Sequence, residues 1–206
     1  MNRHMELKFQ VECLQDVAVV NCSGRMVRGA ALDELRRRVE QLGRVRLLVL
    51  DVDGVMTDGR LGYGAEGEIG KTFHVRDGYG IKAARAAGIE VAVISGRDSA
   101  AVQVRCRELG IRHAYLGVEH KGEALTALLA LLKLGPRQCA CVGDDAPDLP
   151  LLRQAGLAVA VADAHPVALA AAHRRTRQAG GAGAVREVCD WLLAAQAAPQ
   201  RARGRR

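Results

Sequence analysis

Short unbroken apolar runs alternate along the chain with stretches whose apolar positions recur every three or four residues, the pattern of strands and helices taking turns. Leu47-Leu-Val-Leu50, Glu90-Val-Ala-Val-Ile94, Ile111 to Leu116, Gln138-Cys-Ala-Cys-Val142 and Leu157-Ala-Val-Ala-Val161 read as strands buried on both faces. Between and after them the spacing predicts helices over 81–87, 98–109, 118 to about 134 and 149–155, another behind Asp163-Ala-His-Pro166, and a last one from Ala184 to about Ala198. Asp98 is placed to cap the second of these. Such alternation predicts an α/β fold, a Rossmann-like doubly wound parallel sheet. Residues 60–75 break the rhythm. Glycines crowd between Leu61/Tyr63 and Ile69/Phe73/Val75, which predicts a β-hairpin around Ala65-Glu66-Gly67, and Arg76-Asp-Gly-Tyr-Gly80 then reads as a turn into the next helix.

Upstream, Lys8 to Cys13 and Val17 to Cys22 read as two strands joined through Leu14-Gln-Asp16, and Ala30 to Leu42 has helical spacing with Arg36-Arg-Arg38 on its outer face. Strand, strand, Ser-Gly-Arg, helix and apolar strand is similar to the opening of an anti-sigma-factor-antagonist (STAS) domain. Residues 1–45 are therefore expected to form a weakly STAS-like extension, 46–198 the main domain and 199–206 a basic tail.

Composition narrows the class. A chain of 206 residues that is 49% apolar and 26% charged can close one ordinary core. No apolar run approaches the roughly 20 residues a membrane helix needs, and Met1 to Lys8 leads into no secretory signal. The six cysteines (13, 22, 106, 139, 141 and 189) show neither Cys-x-x-Cys nor zinc-like spacing, so a reduced, cytoplasmic protein is expected. Of the net charge of +7, the last six residues supply four. With only 3% aromatic residues, neither nucleic acid nor membrane is the expected partner, and the tail reads as solvated or as reaching an anionic substrate.

The candidate chemistry gathers at strand ends. Asp51 and Asp53 follow Leu50 at i, i+2 spacing, where each resists ionisation of the other unless a cation intervenes. A hard, oxygen-seeking ion such as Mg2+ suits such a site. Gly54 permits a tight turn whose N–H groups can cradle phosphate. Ser95-Gly96-Arg97, at the end of the next strand, offers a hydroxyl, a glycine N–H and a guanidinium for an anion. Asp144, Asp145 and Asp148 crowd a third strand end and would also repel one another without a cation. Acids distant in sequence should thus meet at one divalent ion, an expectation that Asp51 and Asp144 more than about 10 Å apart would exclude.

Asp51-Val-Asp-Gly-Val-x-Thr-Asp58 resembles the first motif of the haloacid dehalogenase superfamily. With Phe73-His-Val-Arg-Asp-Gly-Tyr-Gly-Ile81, Val142-Gly-Asp-Asp145, Ala160-Val-Ala-Asp-Ala-His-Pro166 and Gly180-Gly-x-Gly-Ala-Val-Arg-Glu-Val-Cys-Asp190, the chain from about Arg46 to Gln196 resembles the small-cap 3-deoxy-D-manno-octulosonate 8-phosphate phosphatases. The resemblance implies a β-hairpin flap in place of a large cap. It implies Asp51 as nucleophile, Asp53 as general acid/base, and Lys121, at a helix start, as the cation that neutralises nucleophile and phosphoryl group. Mg2+ would be held by Asp51, the backbone carbonyl of Asp53, and Asp144, with Asp145 and Asp148 in support. Gly54, Ser95, Gly96 and Lys121 would hold phosphate, and Lys71, Arg76 and Arg97 the sugar acid. The implied activity is Mg2+-dependent release of phosphate from 3-deoxy-D-manno-octulosonate 8-phosphate, through an aspartyl phosphate, in lipopolysaccharide precursor synthesis. The implied assembly is a homotetramer whose hairpins pack as a barrel beside adjoining sites. Two departures stand out: the N-terminal extension is longer than usual, and Gly122 replaces a bulkier residue. The alternatives are a phosphatase for a nine-carbon sialic-acid-type phosphate and a non-catalytic regulatory module. A response-regulator receiver does not match the order of the acidic motifs.

Overall fold

In the computed structural model, which describes residues 8–14, 17–23 and 41–197, β1 (Lys8–Leu14) and β2 (Val17–Ser23) pair antiparallel as a ribbon of their own. A helical turn over 41–44 leads into β3 (Leu47–Leu50). The hairpin of β4 (Gly62–Gly64) and β5 (Gly67–Gly70) follows, then α1 (Val75–Ala86), β6 (Glu90–Ile94) and α2 (Ala100–Leu109). Next come β7 (His113–Tyr115), α3 (Lys121–Leu132), β8 (Cys139–Gly143) and α4 (Leu149–Gln154). The chain continues through β9 (Leu157–Ala160), α5 (Pro166–Ala171) and β10 (Arg174–Arg175) to α6 (Ala184–Ala197).

The main sheet runs β10-β9-β8-β3-β6-β7, with every pair parallel. The expected doubly wound sheet with a hairpin flap is the observed architecture. From β3 the chain steps outward to β6 and β7, then returns to β8 and steps outward the other way. Strand order therefore reverses between β3 and β8, and in such sheets ligands bind in the crevice beyond the carboxyl ends at that reversal. The apolar runs explain why these two strands lie at the centre: Leu47 to Leu50 and Cys139 to Val142 are all 0% exposed. Cys139 and Cys141 serve there as small buried hydrophobes with free thiols. Truncating Leu47 or Leu50 to alanine would cost about 2–5 kcal/mol in cavity and transfer terms.

Several boundaries differ from expectation. α1 begins at Val75, so Arg76 to Gly80 is helix and not a turn. His74 caps it by accepting from Arg76 N–H, and packing decides the two glycines. A Cβ at Gly78 would run into the Arg105 guanidinium, and one at Gly80 would crowd Arg186 and Cys189 of α6. Ser99, not Asp98, takes the N-cap position of α2, without a side-chain capping bond, and the Asp98 carboxylate accepts from the Gln103 side chain. The two-residue edge strand β10 carries no apolar pattern and was not expected. The turn at 15–16, the predicted helix up to residue 40 and the basic tail lie outside the described residues. Among those described, no helix is long and apolar enough to cross a membrane.

Candidate active site

Asp51 leaves the end of β3 and Asp144 the end of β8, so neighbouring strands deliver both to the point where strand order reverses. Behind Asp144 a 3₁₀ turn, Ala146–Asp148, is capped by Asp145, whose Oδ1 accepts from Ala146 N–H at 2.7 Å. The turn folds Asp148 back, and its Oδ2 accepts from Asp144 N–H at 2.9 Å. Carboxylate oxygens of Asp51, Asp144 and Asp148 all lie within 4.8 Å of one another. The separation that would have excluded a shared ion does not occur.

Lys121 opens α3 and is 5% exposed. Its Nζ stands 2.8 Å from Asp51 Oδ1 and 2.7 Å from Asp148 Oδ1. A buried ammonium is tolerable only with such counter-charges. Burial works against its charged form, but Asp51 and Asp148 outweigh it and raise the Lys121 pKa. Burial, and then the neighbouring Asp148, pushes Asp51 up to about 7, with Lys121 pulling the other way. Burial followed by Asp148, Asp51 and Asp145 pushes Asp144 up to about 7 as well. Three carboxylates against one ammonium leave an excess of two negative charges when all are ionised. An all-oxygen donor set with that excess fits a hard divalent cation such as Mg2+.

The loop after β3 is wound tightly. The N–H groups of Val55, Met56 and Thr57 all point to Val52 O, at 3.2, 2.9 and 3.0 Å, and Thr57 Oγ1 accepts from Gly59 N–H at 3.2 Å. Gly54 has φ +83°, and a Cβ there would overlap the Asp144 carboxylate. Only glycine meets both demands. Buried Ser95 ends β6 and is tied on both backbone sides, donating to Tyr115 O at 2.9 Å and accepting from Val118 N–H at 3.0 Å. A Cβ on Gly96 would stand 4.0 Å from Lys121 Cε, so the Ser95-Gly96 corner borders the lysine.

The Asp53 carboxylate is not part of the three-acid cluster. Its Oδ1 accepts from Lys71 Nζ at 2.5 Å and its Oδ2 lies 3.7 Å from Arg97 Nε. Lys71 and Arg97 thus reach the same place from the hairpin and from the β6–α2 loop. Arg76 is exposed in the first turn of α1, its backbone N–H on His74 Nδ1. Asp148 lies within the cluster with its Oδ1 on Lys121 and its Oδ2 on the Asp144 N–H. One feature escaped the sequence reading: Glu68 of β5 contacts both Lys71 and Arg97. The i, i+3 spacing of Glu68 and Lys71 was the available signal, but it acquires meaning only once the hairpin folds over Asp53.

Comparison with known proteins adds independent support. The haloacid dehalogenase-like hydrolase model matches residues 74–156, a span that takes in Ser95, Lys121, Asp144 and Asp148. The 3-deoxy-D-manno-octulosonate 8-phosphate phosphatase KdsC of Escherichia coli K12 is 52% identical over 160 residues, covering 78% of this chain and 85% of its own. The Yersinia pestis protein of the same name is 50% identical over 158 residues, 77% of this chain and 84% of its own. A crystal structure of the Yersinia pestis phosphatase is 42% identical with TM-score 0.77, over 92% of this chain and 94% of that one. The Moraxella catarrhalis phosphatase, solved with magnesium, phosphate and KDO, is 40% identical with TM-score 0.76, over 79% and 93%. The cobalt-bound Haemophilus influenzae phosphatase is 44% identical with TM-score 0.74, over 76% and 91%. On this sequence identity and coverage, the chain belongs to the 3-deoxy-D-manno-octulosonate 8-phosphate phosphatase family of haloacid dehalogenase-like hydrolases.

Proposed function

We propose that the chain is a Mg2+-dependent phosphatase that hydrolyses 3-deoxy-D-manno-octulosonate 8-phosphate to the free sugar acid and phosphate, a step of lipopolysaccharide precursor synthesis. The observation that carries this reading is the meeting of Asp51, Asp144 and Asp148 around Lys121 at the point where the sheet reverses, in a chain of this family. A carboxylate of Asp51 attacks phosphorus in line, forming an aspartyl phosphate as the bond to the sugar oxygen breaks. Asp53 gives its proton to that oxygen, then takes one from the water that hydrolyses the aspartyl phosphate, which frees phosphate and restores Asp51. Lys121 supplies a fixed positive charge beside the nucleophile. Asp51, Asp144 and the Asp53 backbone carbonyl are the groups that would hold Mg2+, with Asp145 and Asp148 in support. When bound, the ion screens the nucleophile from its neighbours and stabilises charge on the transferring phosphoryl group.

Gly54, Ser95 and Gly96 complete the phosphate cradle in this reading, and Arg76 and Arg97 take the substrate's carboxylate and hydroxyls, while Lys71, enclosed between Asp53 and Glu68, acts on Asp53 instead. The phosphatase unit spans 46–198, with 1–45 as an extension and 199–206 as a tail. Exposed Leu61, Tyr63 and Ile69 leave apolar surface on the hairpin, which supports a homotetramer built through the hairpins. The test is a panel of eight- and nine-carbon keto-acid phosphates with and without Mg2+. Mg2+-dependent turnover favouring the eight-carbon substrate is expected; a preference for the nine-carbon compound, or no hydrolysis at all, overturns the assignment.

A further inference from the structure

Around Asp53 the charges of two loops close into a ring. Lys71 Nζ lies 2.5 Å from Asp53 Oδ1 and 3.5 Å from Glu68 Oε2. Arg97 Nη2 lies 3.0 Å from the same Glu68 oxygen, while its Nε returns to Asp53 Oδ2 at 3.7 Å. Acid, base, acid and base alternate, so every neighbour in the ring attracts. The other Glu68 oxygen accepts from the Ser99 hydroxyl at 2.7 Å, and Arg97 also donates to Tyr63 Oη at 3.0 Å.

Exposure separates this ring from an ordinary surface pair. An exposed ion pair is worth little, but the Lys71 side chain is only 1% exposed. A desolvated ammonium needs compensation, and here two carboxylates share it. Ser99, and then Arg97, hold the Glu68 pKa below its usual value, so it stays charged at neutral pH. Without that charge, an ammonium and a guanidinium would converge on the single carboxylate of Asp53 and repel each other across it.

We infer that Glu68 is a positioning residue for the reaction: it shares Lys71 and Arg97 with Asp53 and so holds the Asp53 carboxyl in place between the hairpin and the loop after β6. The inference rests on the phosphatase reading above. It assigns the hairpin a task beyond covering the site, because the flap carries both Glu68 and Lys71 and is tied through Arg97 and Ser99 to the loop after β6.

The test compares wild type, Glu68→Gln and Glu68→Asp as full-length chains with Mg2+ and the eight-carbon keto-acid phosphate. Glu68→Gln, which keeps shape and loses charge, should lower kcat by about tenfold to a hundredfold, a fraction of what a positioned acid–base group contributes. KM should move much less, and Glu68→Asp should recover part of kcat. Hydrogen exchange in the metal-free protein provides a readout independent of turnover: the amides of 62–70 should exchange faster in Glu68→Gln while those of 47–50 do not change. An active wild type with an equally active Glu68→Gln overturns the inference alone. So does a change confined to KM, which would place the effect of Glu68 on substrate binding through Arg97 and not on Asp53, and so does unchanged exchange in the hairpin. A wild type inactive on every phosphate monoester overturns the phosphatase reading and the positioning role together.

Discussion

Gly180 lies so close to the carbonyl oxygen of Gly54 that a Cβ at position 180 would overlap it. Gly54 in turn leaves no room for a Cβ beside the Asp144 carboxylate. Three segments far apart in sequence are thereby stacked in contact: the glycine loop before α6, the loop after β3 and the acidic end of β8. Gly180 N–H donates to Asp163 Oδ1 at 2.9 Å and Gly181 N–H to Val55 O at 3.0 Å, so the outer member of the stack is itself held.

Gly180→Ala should therefore act on the nucleophile loop without touching it chemically. Backbone against backbone cannot rotate away, so the loop bearing Asp51 and Asp53 must shift. A displacement near 1 Å at a reacting group can cost about a hundredfold in rate, while overpacking of this kind costs about 1–3 kcal/mol. The expected result is a folded variant whose kcat falls far more than its melting temperature implies. Wild-type kcat in Gly180→Ala would show that the contact does not position the loop.

Asp51→Asn should abolish turnover and leave the fold intact. The folded chain resists ionisation of Asp51, which burial and Asp148 push up to about 7. Replacing it with a neutral amide of equal size removes that penalty at neutral pH. The metal-free variant should melt no lower than wild type at about pH 8, measured by thermal scan beside the activity assay. Retained Mg2+-dependent turnover would dismiss Asp51 as nucleophile.

Much of this site was legible because buried parallel strands carry an unmistakable pattern. Leu47 to Leu50 and Cys139 to Val142 are continuous apolar runs, and the acids directly after them fall at the strand ends. What stayed hidden depends on contacts between elements. Gly78 and Gly80 argue locally against a helix, yet α1 runs through them because Arg105 and α6 leave no space for side chains. Asp98 and Ser99 are both acceptable caps by type, yet their side chains are drawn to other partners, Asp98 to the Gln103 amide and Ser99 to Glu68, and Ser99 takes the N-cap position without a capping bond. Glu68 itself sits in a glycine-rich hairpin where an exposed charge is unremarkable. Its importance comes from a fold-back of the flap that no local pattern encodes.

Mg2+ should stabilise the protein through the three-acid cluster. A ligand that binds only the folded state adds about 2.7 kcal/mol at a hundred times its dissociation constant, or some 5–11 °C at about 2–4 °C per kcal/mol for a chain of this size. Asp144→Asn removes one donor oxygen charge while preserving shape beside Gly54. It should abolish most of the Mg2+-induced shift without lowering the metal-free melting temperature. A full shift in Asp144→Asn would place the ion elsewhere.

Asp77 gives the protein a pH dependence unrelated to the metal cluster. From α1, its Oδ1 accepts from Arg186 N–H at 2.7 Å and so caps the first turn of α6, while its Oδ2 is buried without a hydrogen-bond partner. Burial raises the Asp77 pKa above its ordinary 3.8, opposed by the Arg186 N–H and by His74. Folding therefore favours the protonated acid. Between the ordinary value and the raised one the folded chain binds more protons than the unfolded chain, so this contribution is complete below that window and is lost as pH rises through it. Asp77→Asn cannot titrate and keeps an oxygen for Arg186. Stability measured by urea unfolding from about pH 4 to pH 8 should fall for wild type relative to Asp77→Asn as pH increases. Asp77→Ala should lose about 1–3 kcal/mol at every pH by orphaning the Arg186 N–H. Parallel pH profiles for wild type and Asp77→Asn would mean that the carboxyl is ionised in the folded chain as readily as in water.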